Sequence, residues 1–442
     1  MDILEELSSD HDDSLPLTIA AQVEEEELRV EILERGRPMA SGDRASDPTR
    51  RTNDYQQLVK FFDAIRWKQI VPIGSELYLH RSLAKPKEEA PPPAPANTRA
   101  ELAPEQEYCI RRFQDGDALK IARSIYAAYG RTYLDADLYS PERITELNRD
   151  GKLCSVVAEA ENGDIVGHYA LERPNPERPA ESGQAVVDQA HRRRGLMEKM
   201  RTEATTWARE LNLPGFFGRA TARHAASQRA DERLGAVPTG LFLAYSPASM
   251  RLRRDPAVGS GDRPSSVVYW TALQPIPPSP CFLYEGTQSL TEPILKSLGL
   301  TDLRTSSGPD PEHTADKGEA AIHTHFWLGR GLASLMIQEV SRASRPALRQ
   351  ACADLLAMEP ISSVVLHLPL DDPHTPWLTR VALEDLGFKV AAILPFDIPG
   401  NRHGLILEYT RAQVDTGGLD LESEVARNLL AAAVEKRENN TE

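Results

Sequence analysis

The sequence predicts an α/β fold with mixed sheets, arranged as tandem domains behind a small N-terminal α/β module. The chain of 442 residues is too long for one hydrophobic core. Strand-like apolar runs alternate with segments of helical spacing over residues 107–245, and again over residues 262–412. A stretch rich in proline and alanine, residues 84–106, has the composition of a semi-extended linker. It separates the N-terminal module, residues 15–83, from the rest.

Composition and charge exclude several classes of protein. The net charge of −15 argues against a nucleic-acid-coating protein, because no excess of lysine and arginine is available to displace counterions. No apolar run reaches the roughly 18 residues of a membrane span, and the acidic start lacks the apolar segment of a secretory signal. The scattered cysteines contain no CxxC pair, which favours reduced thiols over disulfides or zinc. We therefore expect a cytoplasmic protein with no metal, membrane or nucleic-acid partner.

The N-terminal module alternates as β-structure does. The runs "LPLTIAAQV" and "ELRVEILERG" predict two antiparallel strands joined at Glu24–Glu27. The segment "DYQQLVKFFDAI" predicts a helix, and "WKQIVPIGSELYLHRSL" predicts a closing hairpin around Pro72 and Gly74. The expected order is therefore strand, strand, loop, helix, strand, strand.

This order resembles the second half of the GHKL ATPase fold, as found in anti-sigma-factor serine kinases. In that family an acidic residue, a glycine and a following proline mark the adenine site, and Glu34, Gly36 and Pro38 stand at the corresponding positions here. The family's leading helix, with its magnesium-binding asparagine, and its glycine-rich lid have no counterpart in this sequence. The resemblance therefore implies a structural or partner-binding remnant, with ATP binding as the alternative.

The sequence of residues 107–245 predicts a second arrangement of alternating strands and helices. "EYCIRRF" predicts a strand, and "DGDALKIARSIYAAYG" and "SPERITELNRDG" predict helices. "LCSVVAEA", "DIVGHYALE" and "SGQAVVD" predict three strands. After the run of arginines we expect a helix from about Leu196 to Leu211, then the strand "GFFGRAT", the helix "HAASQRADERLG" and the strand "GLFLAYS".

The loop "HRRRGLM" in this arrangement predicts an anion site. The N-terminus of a helix has unpaired N–H groups and a partial positive charge, and Gly195 lets the backbone approach phosphate oxygens. Three consecutive arginines at that end oppose the helix dipole, which is reasonable where an anion is normally bound. The alternative is a solvated basic start of a helix.

This order of elements, with the loop at its centre, resembles the GNAT superfamily of acyl-CoA-dependent N-acyltransferases over residues 107–250. The superfamily pattern is Gln/Arg-x-x-Gly-x-Gly/Ala; Arg192 and Gly195 fit it, and Met197 replaces the usual small residue. The resemblance implies acetyl-CoA, or another acyl-CoA, as cofactor. The implied cofactor-binding residues are Val187, Arg192, Arg193, Arg194, Gly195, Leu196, Met197 and Ser227.

The resemblance also suggests catalytic residues. In that superfamily a tyrosine on the helix after the fifth strand protonates the departing thiolate, and here Asp231 stands at that position. An aspartate donates a proton only if its pKa is raised. His224 is a second acid/base candidate, or a polar residue at a helix end. Among Glu159, Glu172 and Glu181, which nothing in the sequence distinguishes, we name Glu181 as the candidate base.

Residues 262–412 resemble the same superfamily in degenerate form. "LEDLGFKVAAILP" looks like its helix followed by a Gly-Phe pair, with Leu383 at the tyrosine position, and "HFWLGRGLA" lacks the leading arginine. We expect this domain to cover or shape the cleft of the preceding one. Residues 413–442 predict a helical tail that starts near Asp420.

The function that these resemblances imply is transfer of an acyl group from acyl-CoA to an amine, carried by a peptide or a small molecule. One alternative is a catalytically weak CoA-binding sensor or regulatory scaffold, favoured by the lost tyrosine and by Met197. Another is an anti-sigma-type partner switch that binds a protein through residues 15–83.

Overall fold

A computed structural model describes residues 17–24, 27–34, 37–38, 70–73, 76–81, 102–130, 132–247, 250, 263–310, 321–358 and 360–438. The chain divides into two compact units. One comprises residues 1–97 with 327–329, and the other comprises residues 98–326 with 330–442.

The N-terminal unit contains an antiparallel sheet of five strands in the order β3-β2-β1-β5-β4. Its strands are β1 Leu17–Glu24, β2 Glu27–Glu34, β3 Arg37–Pro38, β4 Ile70–Ile73 and β5 Glu76–Arg81. Glu24 pairs with Glu27 and Ile73 pairs with Glu76, which confirms the two predicted hairpins. The predicted helix "DYQQLVKFFDAI" lies outside the described residues.

The second unit contains one sheet of twelve strands. Residues 102–272, here called the first half, contain β6 Tyr108–Arg112, α1 Ala118–Tyr129, α2 Pro141–Arg149, β7 Leu153–Ala160, β8 Ile165–Glu172, β9 Ala180–Val187, α3 Leu196–Glu210, β10 Gly215–Thr221, α4 Ala225–Arg233, β11 Val237–Phe242 and β12 Ser266–Ala272.

Residues 281–410, here called the second half, contain β13 Cys281–Tyr284, α5 Gln288–Ser297, β14 Leu303–Ser306, β15 Ile322–Trp327, β16 Leu332–Ile337, α6 Ser344–Ala357, β17 Ser363–Pro369, α7 Thr375–Glu384, β18 Lys389–Ile398 and β19 Arg402–Thr410. Helix α8, Glu424–Glu438, follows. The order in the sheet is β6-β7-β8-β9-β10-β12-β11-β18-β19-β17-β16-β15, and β13 and β14 form a separate parallel pair.

The sheet of the first half is covered by helices on both faces. Leu196, Met200, Ala204 and Ala208 recur every four residues along α3, and this stripe is buried against one face. On the other face α1 buries Ile121 and Ile125, and α2 buries Ile144. Neighbouring residues of β7 alternate between the two cores, as the pleat of a strand requires. The site described below is therefore built on a rigid three-layer base.

Strand β12 corrects the predicted boundary between the tandem domains. It was expected at the start of the last domain, yet it lies between β10 and β11 and is antiparallel to both. Six of its seven residues are buried, so the first half needs this strand to complete its core. The boundary predicted at residues 250–262 therefore falls one strand too early, because sequence order does not reveal where a later strand inserts into a sheet.

The two halves share a strand order. β9-β10-β12-β11 and β16-β17-β19-β18 both consist of a parallel pair followed by two antiparallel pairings. They differ in the parallel pair. β9 and β10 pair only over three residues, Ala180–Ser182 with Phe216–Gly218, whereas β16 and β17 pair over five. The pairing of β9 with β10 thus ends halfway along both strands, and we call the space between their unpaired ends the cleft.

The two halves join where β11 meets β18, and the register there contains the single pair Gly240–Ala392. A Cβ atom at residue 240 would lie 2.2 Å from the Ala392 Cβ and 2.5 Å from the Ala391 carbonyl oxygen. We expect Gly240→Val to lower the free energy of unfolding by about 3 kcal/mol, because backbone atoms cannot move aside cheaply. Thermal unfolding measures this. Gly116→Val is the control, since a Cβ there meets nothing within 4 Å; an equal loss in both variants would contradict the expectation.

The C-terminal tail forms a helix, as expected, but α8 begins at Glu424 rather than near Asp420. The residues before it have no regular secondary structure and are bonded to α4. The Gln228 side chain donates to the Asp420 carbonyl (2.8 Å) and accepts from the Glu422 N–H (2.9 Å). None of the helices in the described part of the chain combines the length and apolar composition needed to cross a bilayer.

Candidate active site

The loop between β9 and α3 leaves the start of α3 without a side-chain cap. Gly195 is the N-cap residue, with a left-handed backbone (φ 69°), and the first helical bond runs from the Lys199 N–H to the Gly195 carbonyl. The N–H groups of the first turn have no partner within the helix. A Cβ at Gly195 would meet no heavy atom within 4 Å. The backbone angle, rather than crowding, therefore favours glycine here, and the space in front of the helix is open.

The three arginines of the loop have different environments. Arg192 and Arg193 are exposed, and the Arg192 Nε donates to the Val187 carbonyl (3.1 Å). Arg194 turns back instead: its guanidinium donates to the carbonyls of residues 103 and 104 and lies 6.0 Å from the Tyr108 ring. Arg194 thus anchors the chain before β6, and Arg192 and Arg193 remain at the exposed face of the loop.

Met197, which departs from the superfamily pattern, packs against the hydrophobic core beneath α3. The Met197 side chain therefore lies against the interior and does not occupy the loop "HRRRGLM". Leu196 beside it is buried in the same core, so both residues offer the loop only their backbone N–H groups.

A β-bulge lies where β9 leaves β10. The register with β8 shifts between Gly183 and Val186, and Gln184 has a left-handed backbone (φ 54°). The His168 Nδ1 lies 3.0 Å from the Gln184 carbonyl, and its Nε2 lies 3.0 Å from the Ser155 Oγ. Burial lowers the pKa of His168 to about 4. The imidazole is therefore neutral, and it must donate from Nδ1 because a carbonyl only accepts.

Several polar atoms around this cleft are buried without a partner. They are the Gln184 Oε1 on the bulge, the Arg194 Nε in the loop, and the Ser227 Oγ near the start of α4. Burying an unpaired polar atom costs about 1–3 kcal/mol. The unpaired Gln184 Oε1, on the bulge where β9 leaves β10, and the Ser227 Oγ are available to a polar ligand.

Two carboxylates are neighbours at the other end of the cleft. Glu172 ends β8 and is paired in register with Glu181 at the start of β9. Glu181 forms an ion pair with Arg219 of β10, whose guanidinium lies 4.5 Å from the Tyr245 ring. Burial, and then the charges of Glu181 and Asp135, raise the pKa of Glu172 to about 8. Glu172 is thus the member of the pair that changes charge near neutral pH.

The segment between α1 and α2 lies close to these two carboxylates. Burial raises the pKa of the Tyr133 phenol, and the charges of Glu172 and other nearby carboxylates add to the effect. Burial and the neighbouring Asp137 also raise the pKa of Asp135. We call Asp135, Glu172 and Glu181 the carboxylate cluster. Glu159, the remaining sequence candidate, instead pairs with Arg111 of β6 (2.6 Å).

The predicted residues on α4 lie in other environments. Asp231 forms an ion pair with Arg201 of α3, which also donates to the Thr271 Oγ1 (3.3 Å). Burial raises the pKa of Asp231, and the Arg201 charge opposes this. His224 is exposed at the N-cap of α4 and its side chain makes no capping bond; the Asp420 carboxylate accepts from the Ala225 N–H (3.1 Å). The contacts of Asp231, His224 and Glu181 therefore involve separate sets of residues.

In the described part of the chain, no group of three or more histidine, cysteine, aspartate or glutamate side chains is arranged to hold a metal ion.

Residues 109–237 match the family described as acetyltransferase (GNAT) domain. No curated protein gives a significant match. Similar solved structures include a putative acetyltransferase from Acinetobacter baylyi, with 16% identity over 39% of this chain and 95% of that chain and a TM-score of 0.33. Ribosomal-protein-S5-alanine acetyltransferase from Vibrio fischeri has 18% identity over 38% of this chain and 94% of that chain, with a TM-score of 0.31. A putative acetyltransferase from Salmonella typhimurium, solved with its cofactor acetyl-CoA, has 17% identity over 38% and 95%, with a TM-score of 0.31.

The family match lies within the residues 107–250 that were predicted to form such a domain. It confirms the predicted GNAT-type acetyltransferase domain in this part of the chain.

Proposed function

We propose that the first half transfers an acetyl group from acetyl-CoA to an amine, with the cofactor bound along the cleft between β9 and β10. The observation that carries this proposal is the uncapped start of α3 behind Gly195, at the end of the loop that follows the unpaired part of β9. Backbone N–H groups of Gly195, Leu196 and Met197 and the side chains of Arg192 and Arg193 would hold the pyrophosphate. Val187, Gln184 and Ser227 would line the rest of the cofactor, and bound acetyl-CoA supplies the thioester.

Glu172 is proposed as the base that takes a proton from the incoming ammonium group, in place of Glu181. A base works best when its pKa lies near the working pH, and the pKa of Glu172 is about 8. Glu181 forms an ion pair with Arg219, and the charge of Glu181 contributes to the raised pKa of Glu172.

The two candidates on α4, Asp231 and His224, have smaller roles in this proposal. Asp231 joins α4 to α3 through Arg201, and this ion pair occupies its carboxylate, although burial raises its pKa. His224, exposed at the start of α4 and three residues before Ser227, is the acid/base candidate on the thioester side. From this position His224, or water, would protonate the departing thiolate.

The second half, within the predicted residues 262–412, is proposed to be a degenerate repeat of the same fold without a cofactor. Its shared strand order supports the repeat. Two differences argue against a second cofactor: β16 and β17 stay paired over five residues, and α6 starts after Ala343 with no glycine at its N-cap. The C-terminal residues 413–442 add the helix α8.

For residues 15–83 we propose a GHKL-like remnant that contacts a protein partner, tethered through the linker at residues 84–106. The two antiparallel hairpins support the likeness in strand order. A titration with ATP and magnesium should leave the unfolding temperature unchanged. A magnesium-dependent rise would instead favour nucleotide binding.

The acetyltransferase proposal is tested by calorimetric titration with acetyl-CoA and by thiol release across a panel of peptides, polyamines and amino acids. We expect saturable binding and thiol release with at least one amine. Absence of binding would overturn the cofactor site. Binding without thiol release on the whole panel would favour the alternative of a CoA-binding sensor or scaffold.

A further inference from the structure

An aspartate in the second half is built into a charged pocket that also involves the first half. Asp397 of β18 is completely buried, and its Oδ2 lies 2.6 Å from the His367 Nδ1. Its Oδ1 accepts from the guanidinium of Arg178, which belongs to the loop between β8 and β9. The ion pair between Arg178 and Asp397 therefore connects the two halves of the sheet, in addition to the strand contact at Gly240.

The backbone is arranged around this carboxylate. Phe396 has a left-handed backbone (φ 59°), and the β18–β19 register shifts between Leu394 and Ile398. On the facing strand, a Cβ atom at Gly404 would lie 2.6 Å from the Asp397 Oδ2. A left-handed conformation at an aromatic residue is rare. Such a bulge, opposite a residue without a side chain, makes room for Asp397.

The carboxylate is kept ionised in this pocket. Burial alone would raise the pKa of Asp397, but the His367 ring and the Arg178 guanidinium hold it below its ordinary value. An ionised buried carboxylate is expensive unless charged partners satisfy it. Since His367 and Asp397 both belong to the second half, the partner that makes the pocket bridge the halves is Arg178.

Arg178 lies in the segment that connects the two carboxylates of the proposed site. The loop at residues 173–179 starts directly after Glu172, and Arg178 precedes Glu181 by three residues. Charged side chains of this region also act on the carboxylate cluster. Burial, and then the charges of Arg178 and Arg330, lower the pKa of His325, and the Arg330 charge also acts on Glu172. The anchored loop is therefore next to the group proposed to act as base.

We propose that Asp397 is a positioning residue for the amine acceptor: by anchoring Arg178 it fixes the loop at residues 173–179, which borders the Glu172–Glu181 pair. This inference rests on the proposed function of the first half. It assigns the second half a role in acceptor binding, although that half is proposed to bind no cofactor.

The test compares Asp397→Asn and Arg178→Ala with the wild type, each as the full-length protein. We expect the KM for the acceptor to rise roughly tenfold in each variant, because misplaced substrate-positioning groups have effects of at least this size. The kcat and the Kd for acetyl-CoA should change less than threefold. The double variant should be no worse than either single one, and Arg178→Lys should restore part of the loss. Arg178 is 34% exposed, so Arg178→Ala should fold even where Asp397→Asn does not.

Asp371→Asn is the matched control, because it breaks an Arg–Asp pair (2.7 Å to Arg402) that lies wholly within the second half. Its acceptor KM should equal that of the wild type. An unchanged acceptor KM in both Asp397→Asn and Arg178→Ala, or an equal change in the acetyl-CoA Kd, would overturn the inference.

Hydrogen exchange separates this inference from the proposed function. Backbone amides of the loop residues other than proline, which are Arg173, Asn175, Glu177 and residue 178, should exchange faster in Asp397→Asn and Arg178→Ala, and at the wild-type rate in Asp371→Asn. A wild-type protein without thiol release would overturn the proposed function, whereas unchanged exchange in both variants would overturn the anchoring itself.

Discussion

Replacing Glu172 with glutamine should lower kcat/KM for the acceptor by about a hundredfold, the usual contribution of a general base. In the wild type, kcat/KM should rise with pH through about 8, because the carboxylate accepts a proton only when it is ionised and its pKa is about 8. The variant should lose that limb of the profile. A pH–rate profile with one acceptor, compared between wild type and variant, separates the enzyme's pKa from that of the amine.

Glu181→Gln is the matched control for this prediction. It removes the neighbouring negative charge that raises the pKa of Glu172, so the limb should persist and shift to lower pH. A limb that survives unchanged in Glu172→Gln would contradict the assignment of the base.

The same pKa gives a readout that needs no reaction. The folded state raises the pKa of Glu172 from 4.5 to about 8, so it binds the proton more tightly than the unfolded chain does. The resulting destabilisation is absent below pH 4.5, grows as the pH rises toward 8, and is complete above it. Glu172→Gln should therefore gain stability relative to the wild type between pH 5 and pH 9, as thermal unfolding at both values would reveal. An equal difference at the two pH values would argue against a raised pKa.

The features that the sequence predicted well are local ones. The helix start after Gly195 could be predicted because a helix N-terminus depends on a few consecutive residues. The hairpin at Glu24–Glu27 is local in the same sense. Met197 stands three residues before Met200, which is buried, and this helical spacing indicates that its side chain turns toward the core.

The features that the sequence did not predict depend on contacts between distant residues. Strand β12 follows β11 in the chain but lies between β10 and β11, and only the completed sheet reveals this. Choosing Glu172 over Glu181 requires the cross-strand register and the position of Arg219, more than 35 residues further along the chain. The superfamily pattern placed Asp231 at the general-acid position, and its ion pair with Arg201 across two elements was not readable from that pattern.

Gly195→Glu should weaken acetyl-CoA binding by about a hundredfold or more. The new carboxylate would stand at the start of α3, where it repels an incoming phosphate and competes for the N–H groups of the first turn. Losing one or two charge-assisted hydrogen bonds, each contributing about 1.5–3 kcal/mol, accounts for an effect of this size. The Kd from calorimetry is the measurement, and the unfolding temperature should be recorded beside it.

Gly235→Glu is the control that separates charge at this site from backbone strain. Gly235 follows α4 and has a left-handed backbone (φ 80°), and a Cβ atom there, as at Gly195, would meet no heavy atom within 4 Å. Both variants therefore add the same charge and a similar strain of about 1–2 kcal/mol, but only Gly195→Glu places the carboxylate at the start of α3. Equal acetyl-CoA affinities in the two variants would mean that the helix start does not bind the pyrophosphate, and the cofactor would then have to be held elsewhere in the cleft.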